Sequence, residues 1–229
     1  MIGITFALRS ESSSFRRRIS VAQRDGDLLL GKIDNHEVAL IHTGVGAKNC
    51  NARLEILLHK ARPRLVISSG FAGAVTEELR AGDLVLAQNF SDPKLFGIAH
   101  RTLRDHDPKA VKLFTSTSIV DSVAERNEIA RASGAAAVDM ETGAIANVCH
   151  AHGVALISLR IVSDTPSQLF PAPPAVLFDI ERQRTNYSGL FAYLLTRPAS
   201  IPGLIRFSQR IARAREILAD AAVALVREL

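Results

Sequence analysis

The chain has no tryptophan, two tyrosines, two cysteines and two methionines in 229 residues, and only 5% of its positions are aromatic. No run interleaves arginine with tyrosine or phenylalanine, so the stacking platforms of single-strand nucleic-acid binders are missing. Two cysteines cannot build a disulfide framework. Cys50 and Cys149 fall in segments that read as buried helix, which makes them reduced structural thiols. No run approaches the roughly eighteen apolar residues of a membrane span. The start, Met1-Ile2-Gly3-Ile4-Thr5-Phe6-Ala7-Leu8, lacks the charged head and long apolar stretch of a secretion signal. These absences lead us to expect a soluble cytoplasmic protein with no nucleic-acid partner.

A hydrophobic content of 47% is enough for one globular domain with a sizeable core. The formal charge of +5 comes largely from arginines in two places, Arg16 to Arg18 and the stretch from Arg197 onward, and would suit an acidic partner surface.

Short apolar runs bounded by Gly, Pro or polar residues read as strands at 2–8, 38–43, 65–69, 84–87 and 154–162. Helical periodicity fills the gaps at Asn51 to Lys60 and Met140 to His150, the latter ended by Gly153. Strands alternating with helices predict a single-domain α/β fold, a central mixed twisted sheet flanked by helices. Residues 88–115 are polar and without a clear period and read as a loop crossing the surface. The prolines between Thr165 and Pro174 remove donors and restrict their predecessors, which marks a boundary. We therefore expect an α/β core over 1–165, then a Pro-rich connection and C-terminal helices over 166–229, packed on or beside it. Leu204, Ile211, Leu218, Ala222, Leu225 and Leu229 share one helical stripe. Arg206, Arg210, Arg213, Glu216 and Arg227 lie largely elsewhere, so this tail reads either as a helix packed on the sheet or as a basic amphipathic helix touching a membrane surface.

The chemistry concentrates in acids. Val138-Asp139-Met140-Glu141-Thr142-Gly143-Ala144 and, about twenty residues on, Leu159-Arg160-Ile161-Val162-Ser163-Asp164 set one acid at a helix start and another at the end of the next strand. Ligands of open α/β sheets sit at the carboxyl ends of strands, so Glu11, Glu141 and Asp164 can converge on one pocket. Ser163 can hold Asp164 by a hydrogen bond, and Arg160 can adjust its charge. Each acid alone is explained by a cap or a solvated charge. Ser69-Gly70-Phe71-Ala72-Gly73-Ala74 is a glycine-rich turn after a strand, where a ligand can approach the backbone closely. Gly44-Val45-Gly46 precedes a helix but lacks the third glycine and the later acid of a dinucleotide site, and reads as a tight turn. His150 and His152 have no third ligand in pattern, so no metal and no cofactor are assigned.

Taken with Ile2-Gly3-Ile4, Gly70-Phe71-Ala72-Gly73 and Ala81-Gly82-Asp83, these motifs resemble the family of nucleoside phosphorylases and nucleosidases, specifically its 5′-methylthioadenosine/S-adenosylhomocysteine nucleosidase branch, from Ile2 to about Thr165. The resemblance implies that Asp164 donates to or hydrogen-bonds with purine N7, that Glu141 binds ribose hydroxyls with Met140 packing under the sugar, and that Glu11 activates water. It also implies that Val120 lies beside the base and that the chain dimerises. Phe71 departs from the family pattern, standing where a small polar residue commonly faces the water or phosphate. Ser68-Ser69 stands where some phosphorylases carry an arginine, which favours water as acceptor, while Arg9 keeps phosphorolysis open. A nucleoside-binding protein without turnover is a further alternative. The tail, with Leu194-Leu195-Thr196-Arg197-Pro198, Ile201-Pro202 and Leu204-Ile205-Arg206, is similar to hopanoid-associated phosphorylases, implying adenosylhopane as substrate, adenine as product and peripheral contact with a membrane.

Overall fold

The computed structural model describes residues 1–173 and 196–229, with residues 176, 178–179, 184–185 and 193 between them. In chain order its elements are β1 (Ile2–Phe6), α1 (Ser13–Arg16), β2 (Ser20–Asp25), β3 (Leu28–Ile33), β4 (His36–His42), α2 (Ala47–Ala61), β5 (Leu65–Ala74) and β6 (Leu84–Ala87). There follow α3 (Pro93–Thr102), β7 (Lys109–Val111), β8 (Leu113–Thr115), α4 (Val123–Ser133), β9 (Ala137–Asp139), α5 (Thr142–Ala151) and β10 (Ala155–Asp164). The long helix α6 (Ile201–Glu228) closes the chain.

Ten strands make one mixed sheet along the path β2-β3-β4-β1-β5-β10-β6-β7, with β9 joining β5 to β8. Its centre is parallel: β1 pairs with β4 and β5, and β5 pairs with β10. All five residues of β1 are buried, because helices cover both faces and leave no solvated side to the central strands. The sheet then alternates between two cores. Ile4, Phe6, Ile67, Leu159 and Ile161 point to one face with Leu218, Ala222 and Leu225 of α6. Ala39, Ile41 and Val66 point to the other, with Leu54 and Leu57 of α2 and Ile145 and Cys149 of α5. Cys50 and Cys149 are buried free thiols, as expected.

The stretch 88–115 is not the surface loop expected from its polarity. It contains α3, a single 3-10 turn at Arg104–His106, and the short strands β7 and β8. Asp92 caps α3 by accepting from the amides of Lys94 and Leu95, and Pro93 occupies its first turn. That Asp-Pro start is a legible helix signal. The hairpin β2-β3 and the short β9 also lie outside the strands read from apolar runs.

The first part of α6 is largely solvent-facing, with Ile201 and Ile205 exposed, while Ala214 to Val226 enter the core. Ile201, Pro202, Leu204, Ile205 and Arg206 of the tail motif lie within α6, whereas Leu194 and Leu195 lie outside the described residues. Among the described residues no helix is long and apolar enough to cross a membrane.

Candidate active site

Parallel register carries the ends of β1, β4, β5 and β10 to one edge of the sheet, since Thr5 aligns with Ser68, Phe6 with His42 and Arg160 with Gly70. A small cleft opens there, lined among others by Thr43, Ser68, Gly70, Phe71, Glu11, Glu141 and Arg160.

Glu11 reaches this cleft through a tight turn after β1, in which the amides of Glu11 and Ser12 both donate to the carbonyl of Leu8. The turn folds the acid back so that its Oε2 accepts from the amides of Ala7 and Leu8 at 3.2 and 3.3 Å. Gly70 stands opposite, where a Cβ would crowd Oε2 at 3.3 Å. Burial pushes the Glu11 carboxyl up to about 7, against the two amides and the Arg160 charge, which pull it down. It is therefore poised to exchange a proton near neutrality.

Glu141 flanks the start of α5, where its Oε1 accepts from the amide of Gly46 at 3.2 Å. Gly46 adopts φ 91, a backbone that side chains rarely take, and its exposed amide thereby serves a carboxylate from another element. Burial, then repulsion from Asp139 and Glu11, raises Glu141 to about 8. Met140 is half-buried between Asp139 and Glu141.

Beneath the cleft, Arg160 uses all five of its N–H donors. Nε donates to Asp139 at 3.0 Å, Nη1 to the carbonyls of Ser68 and Leu159, and Nη2 to the hydroxyls of Ser68 and Thr142. It therefore offers the site a fixed positive charge rather than free donors. Asp139 in turn accepts from the Thr142 amide and hydroxyl and from Thr115, so it ties β8, α5 and β10 together.

Asp164 is 1% exposed and is not among the cleft-lining residues. It stands further along the same edge, aligned with Gly73 across a bulge in β10 that frees Ser163 from the register. The Ser163 hydroxyl contacts Asp164 Oδ1, with the Ala72 carbonyl at 3.2 Å as a second acceptor. Oδ2 is ion-paired with Arg126 of α4, which was not singled out in the sequence. Arg126 also donates to the carbonyls of Ala74 and Val120 at 2.7 and 2.9 Å. Val120 is 5% exposed and packs with Val75 and Val138. The structure thus gathers Glu11, Glu141, Phe71 and Arg160 at the cleft. Asp164, Ser163, Ala72, Gly73 and Val120 form an adjoining buried centre around Arg126. Phe71 lines the cleft, and its side chain packs against the α6-side core. Among the described residues no group of three His, Cys, Asp or Glu is arranged to hold a metal.

Residues 2–109 and 89–196 match the model of the Phosphorylase superfamily. A 5′-methylthioadenosine/S-adenosylhomocysteine nucleosidase of Staphylococcus haemolyticus is 26% identical over 196 residues, covering 72% of this chain and 86% of that one. Among solved structures, the Campylobacter jejuni enzyme of the same name superposes with a TM-score of 0.77 at 19% identity, covering 100% of this chain and 99% of that one. The futalosine hydrolase of Helicobacter pylori superposes at 0.74 and 18%, covering 100% and 97%. At those identities the structural likeness speaks for the fold, and with the family match over most of the chain it assigns the protein to the Phosphorylase superfamily.

Proposed function

We propose that this protein is a nucleosidase that hydrolyses the N-glycosidic bond of a 5′-substituted purine nucleoside and releases adenine. The observation that carries the reading is Glu11: a carboxylate raised to about 7, held in a cleft at the strand ends beside Glu141. In this reading Glu141 binds the ribose hydroxyls, with Met140 under the sugar. The C1′–N9 bond lengthens, and positive charge grows on the ribose ring next to the Glu11 carboxylate, which stabilises it. Glu11 takes a proton from the attacking water as its oxygen bonds to C1′. The purine leaves with the C1′–N9 electron pair and takes at N7 a proton that Asp164 donates, and the resulting carboxylate pairs with Arg126. Ser163 orients that carboxylate, Ala72 and Gly73 let the base approach the backbone, and Val120 packs beside it.

Water is favoured over phosphate as acceptor because the donors of Arg160 are committed and Ser68-Ser69 offers no arginine at the turn. One observation supports the phosphorolytic reading: Arg9, Arg16, Arg24 and Arg53 all lie close enough to His42, at the end of β4, to push its pKa down, after desolvation, to about 4.

The 5′ substituent is read from α6. Between Ile201 and Arg215 it carries Arg206, Arg210, Arg213 and Arg215 and no acid, beside the exposed Ile201 and Ile205. A basic helix with apolar side chains facing water suits contact with an anionic membrane, from which a lipid-linked nucleoside such as adenosylhopane would be drawn. A homodimer is part of the same reading.

The test is adenine release from a panel of 5′-substituted adenosines, with and without phosphate. Adenine and free 5′-substituted ribose are expected in both arms. A sugar phosphate formed only with phosphate would establish phosphorolysis, and affinity without adenine release would establish a binding protein. Flotation with anionic vesicles, which should weaken in Ile205→Asp, and light scattering check the membrane contact and the dimer.

A further inference from the structure

Thr5 carries a buried hydroxyl that packing does not account for. It is 1% exposed and lies in β1 opposite Ser68 of β5. Its strand neighbours Ile4 and Phe6 point into the α6-side core, so by alternation the Thr5 side chain faces the cleft, which it lines together with Glu11. Among the described residues its hydroxyl has no hydrogen-bond partner. A valine has the same shape and would fill the position equally well, whereas a buried hydroxyl without a partner is destabilising.

A water attacking C1′ presents a lone pair to the carbon and gives one proton to the base. Its second proton needs an acceptor of its own, or the oxygen swings out of line. Glu11 serves only the first: its Oε2 accepts from the amides of Ala7 and Leu8, which leaves Oε1 for the water. The Arg160 guanidinium cannot accept, and Phe71 brings no polar side-chain atom. The Ser68 hydroxyl already accepts from Arg160 at 2.8 Å, and that of Thr43 is turned to the carbonyls of Phe6 and Gly44. Ser69 alternates with Ser68 along β5 and so belongs, with Ile67 and Phe71, to the α6-side face. With Glu141 given to the ribose, Thr5 is left as the hydroxyl on the Glu11 side of the cleft with both lone pairs free.

We propose that the Thr5 hydroxyl holds the attacking water in line with C1′, accepting a hydrogen bond from its second proton while Glu11 removes the first. The inference rests on the reading that this protein hydrolyses a nucleoside. The water oxygen bonds to C1′ as the purine leaves with the C1′–N9 electron pair. One proton passes to Glu11, and the other stays on the new anomeric hydroxyl, hydrogen-bonded to Thr5. Such a site selects a nucleophile with two O–H bonds. An alcohol has one, which goes to Glu11, and its alkyl group then faces the Thr5 oxygen and leaves a buried acceptor unmet.

The experiment compares wild type, Thr5→Val and Thr5→Ser on 5′-methylthioadenosine, in buffer and in buffer containing methanol, with thermal melts to confirm folding. Val keeps the shape without the hydroxyl, and Ser keeps the hydroxyl. The expected result is that Val lowers kcat by about tenfold or more with KM within about threefold of wild type, while Ser stays within about threefold in both. In methanol, the ratio of methyl 5-methylthioriboside to 5-methylthioribose should rise at least about threefold in Val and hold its wild-type value in Ser. The rise of kcat/KM through about pH 7 should survive in Val, because the base is intact. A Val variant with wild-type kcat and product ratio would overturn the proposal. So would a slowed Val variant with an unchanged product ratio, or one that has lost the pH-dependent rise, since these assign Thr5 to packing or to tuning Glu11. Should Val fail to fold, Thr5→Ala is read by the same criteria. Wild type that releases no adenine, or releases it only with phosphate, would sink the hydrolytic reading and this proposal with it. Normal hydrolysis with an indifferent Val variant would sink this proposal alone.

Discussion

Arg160 and Arg126 are both buried beneath the same edge of the sheet, and each is paired with an aspartate, yet they are built differently. Arg160 spends five donors on five protein acceptors and locks Asp139, Ser68 and Thr142 into one scaffold. Arg126 leaves Nε without a partner, and its aspartate keeps acceptor capacity to spare. The same contrast separates Asp139, which caps and braces, from Asp164, which ends a strand beside Gly73 with its neighbour Ser163 bulged out of register.

The sharpest way to break this comparison is to neutralise the two aspartates in parallel. Asp164→Asn should lower adenine release by roughly 10²–10⁴-fold in the folded protein. Asp139→Asn should leave turnover per folded molecule far closer to wild type while costing about 3–5 kcal/mol of stability, because it strands the Arg160 charge. Equal catalytic losses in steady-state assays of the two variants would erase the distinction. Next in size, Glu11→Gln should reduce hydrolysis by about 10²-fold or more, as removal of a general base does. Within α6, Leu218→Ala should cost about 2–5 kcal/mol by chemical denaturation, since Leu218 is fully buried, whereas Ile205→Ala, half exposed, should stay within about 0.5 kcal/mol.

The smallest effect separates catalytic from structural acids by pH. Burial raises the Glu141 carboxyl to about 8, above the usual 4.5 of a glutamate, so the fold favours its protonated form. Its stabilising contribution is complete below about 4.5 and is lost as pH rises through 8. Glu141→Gln should therefore melt at least about 3 °C above wild type at high pH, with the gap closing toward pH 5, in thermal scans. The reverse trend would mean that an unseen cation holds Glu141 ionised.

Much of the fold was legible because its central strands are buried on both faces and read as continuous apolar runs, as with Ile2 to Phe6 and Leu84 to Ala87. The polar stretch 88–115 misled because α3 buries only Ala99 fully and shows the rest of its surface to varying degrees, so composition outweighed the Asp92-Pro93 start signal. In the site, Glu11, Glu141, Asp164 and Ser163 were findable from their places at strand and helix ends. Arg126 was not. It lies in Ala124-Glu125-Arg126-Asn127-Glu128, whose charges read as a solvated helix face, and only the fold turns that one side chain inward to Asp164. Asp139 is not distinguishable from Glu141 within their shared motif, because no local pattern tells a bracing carboxylate from a ligand-facing one.

The most direct test of the central claim is the pH dependence of adenine release by wild type and Glu11→Gln. With Glu11 titrating at about 7 and required as a base, wild-type kcat/KM should rise through that pH and level above it, while the variant should be slow and lack that rise. A variant that works at the wild-type rate, or that keeps the same ascending limb, would contradict the account.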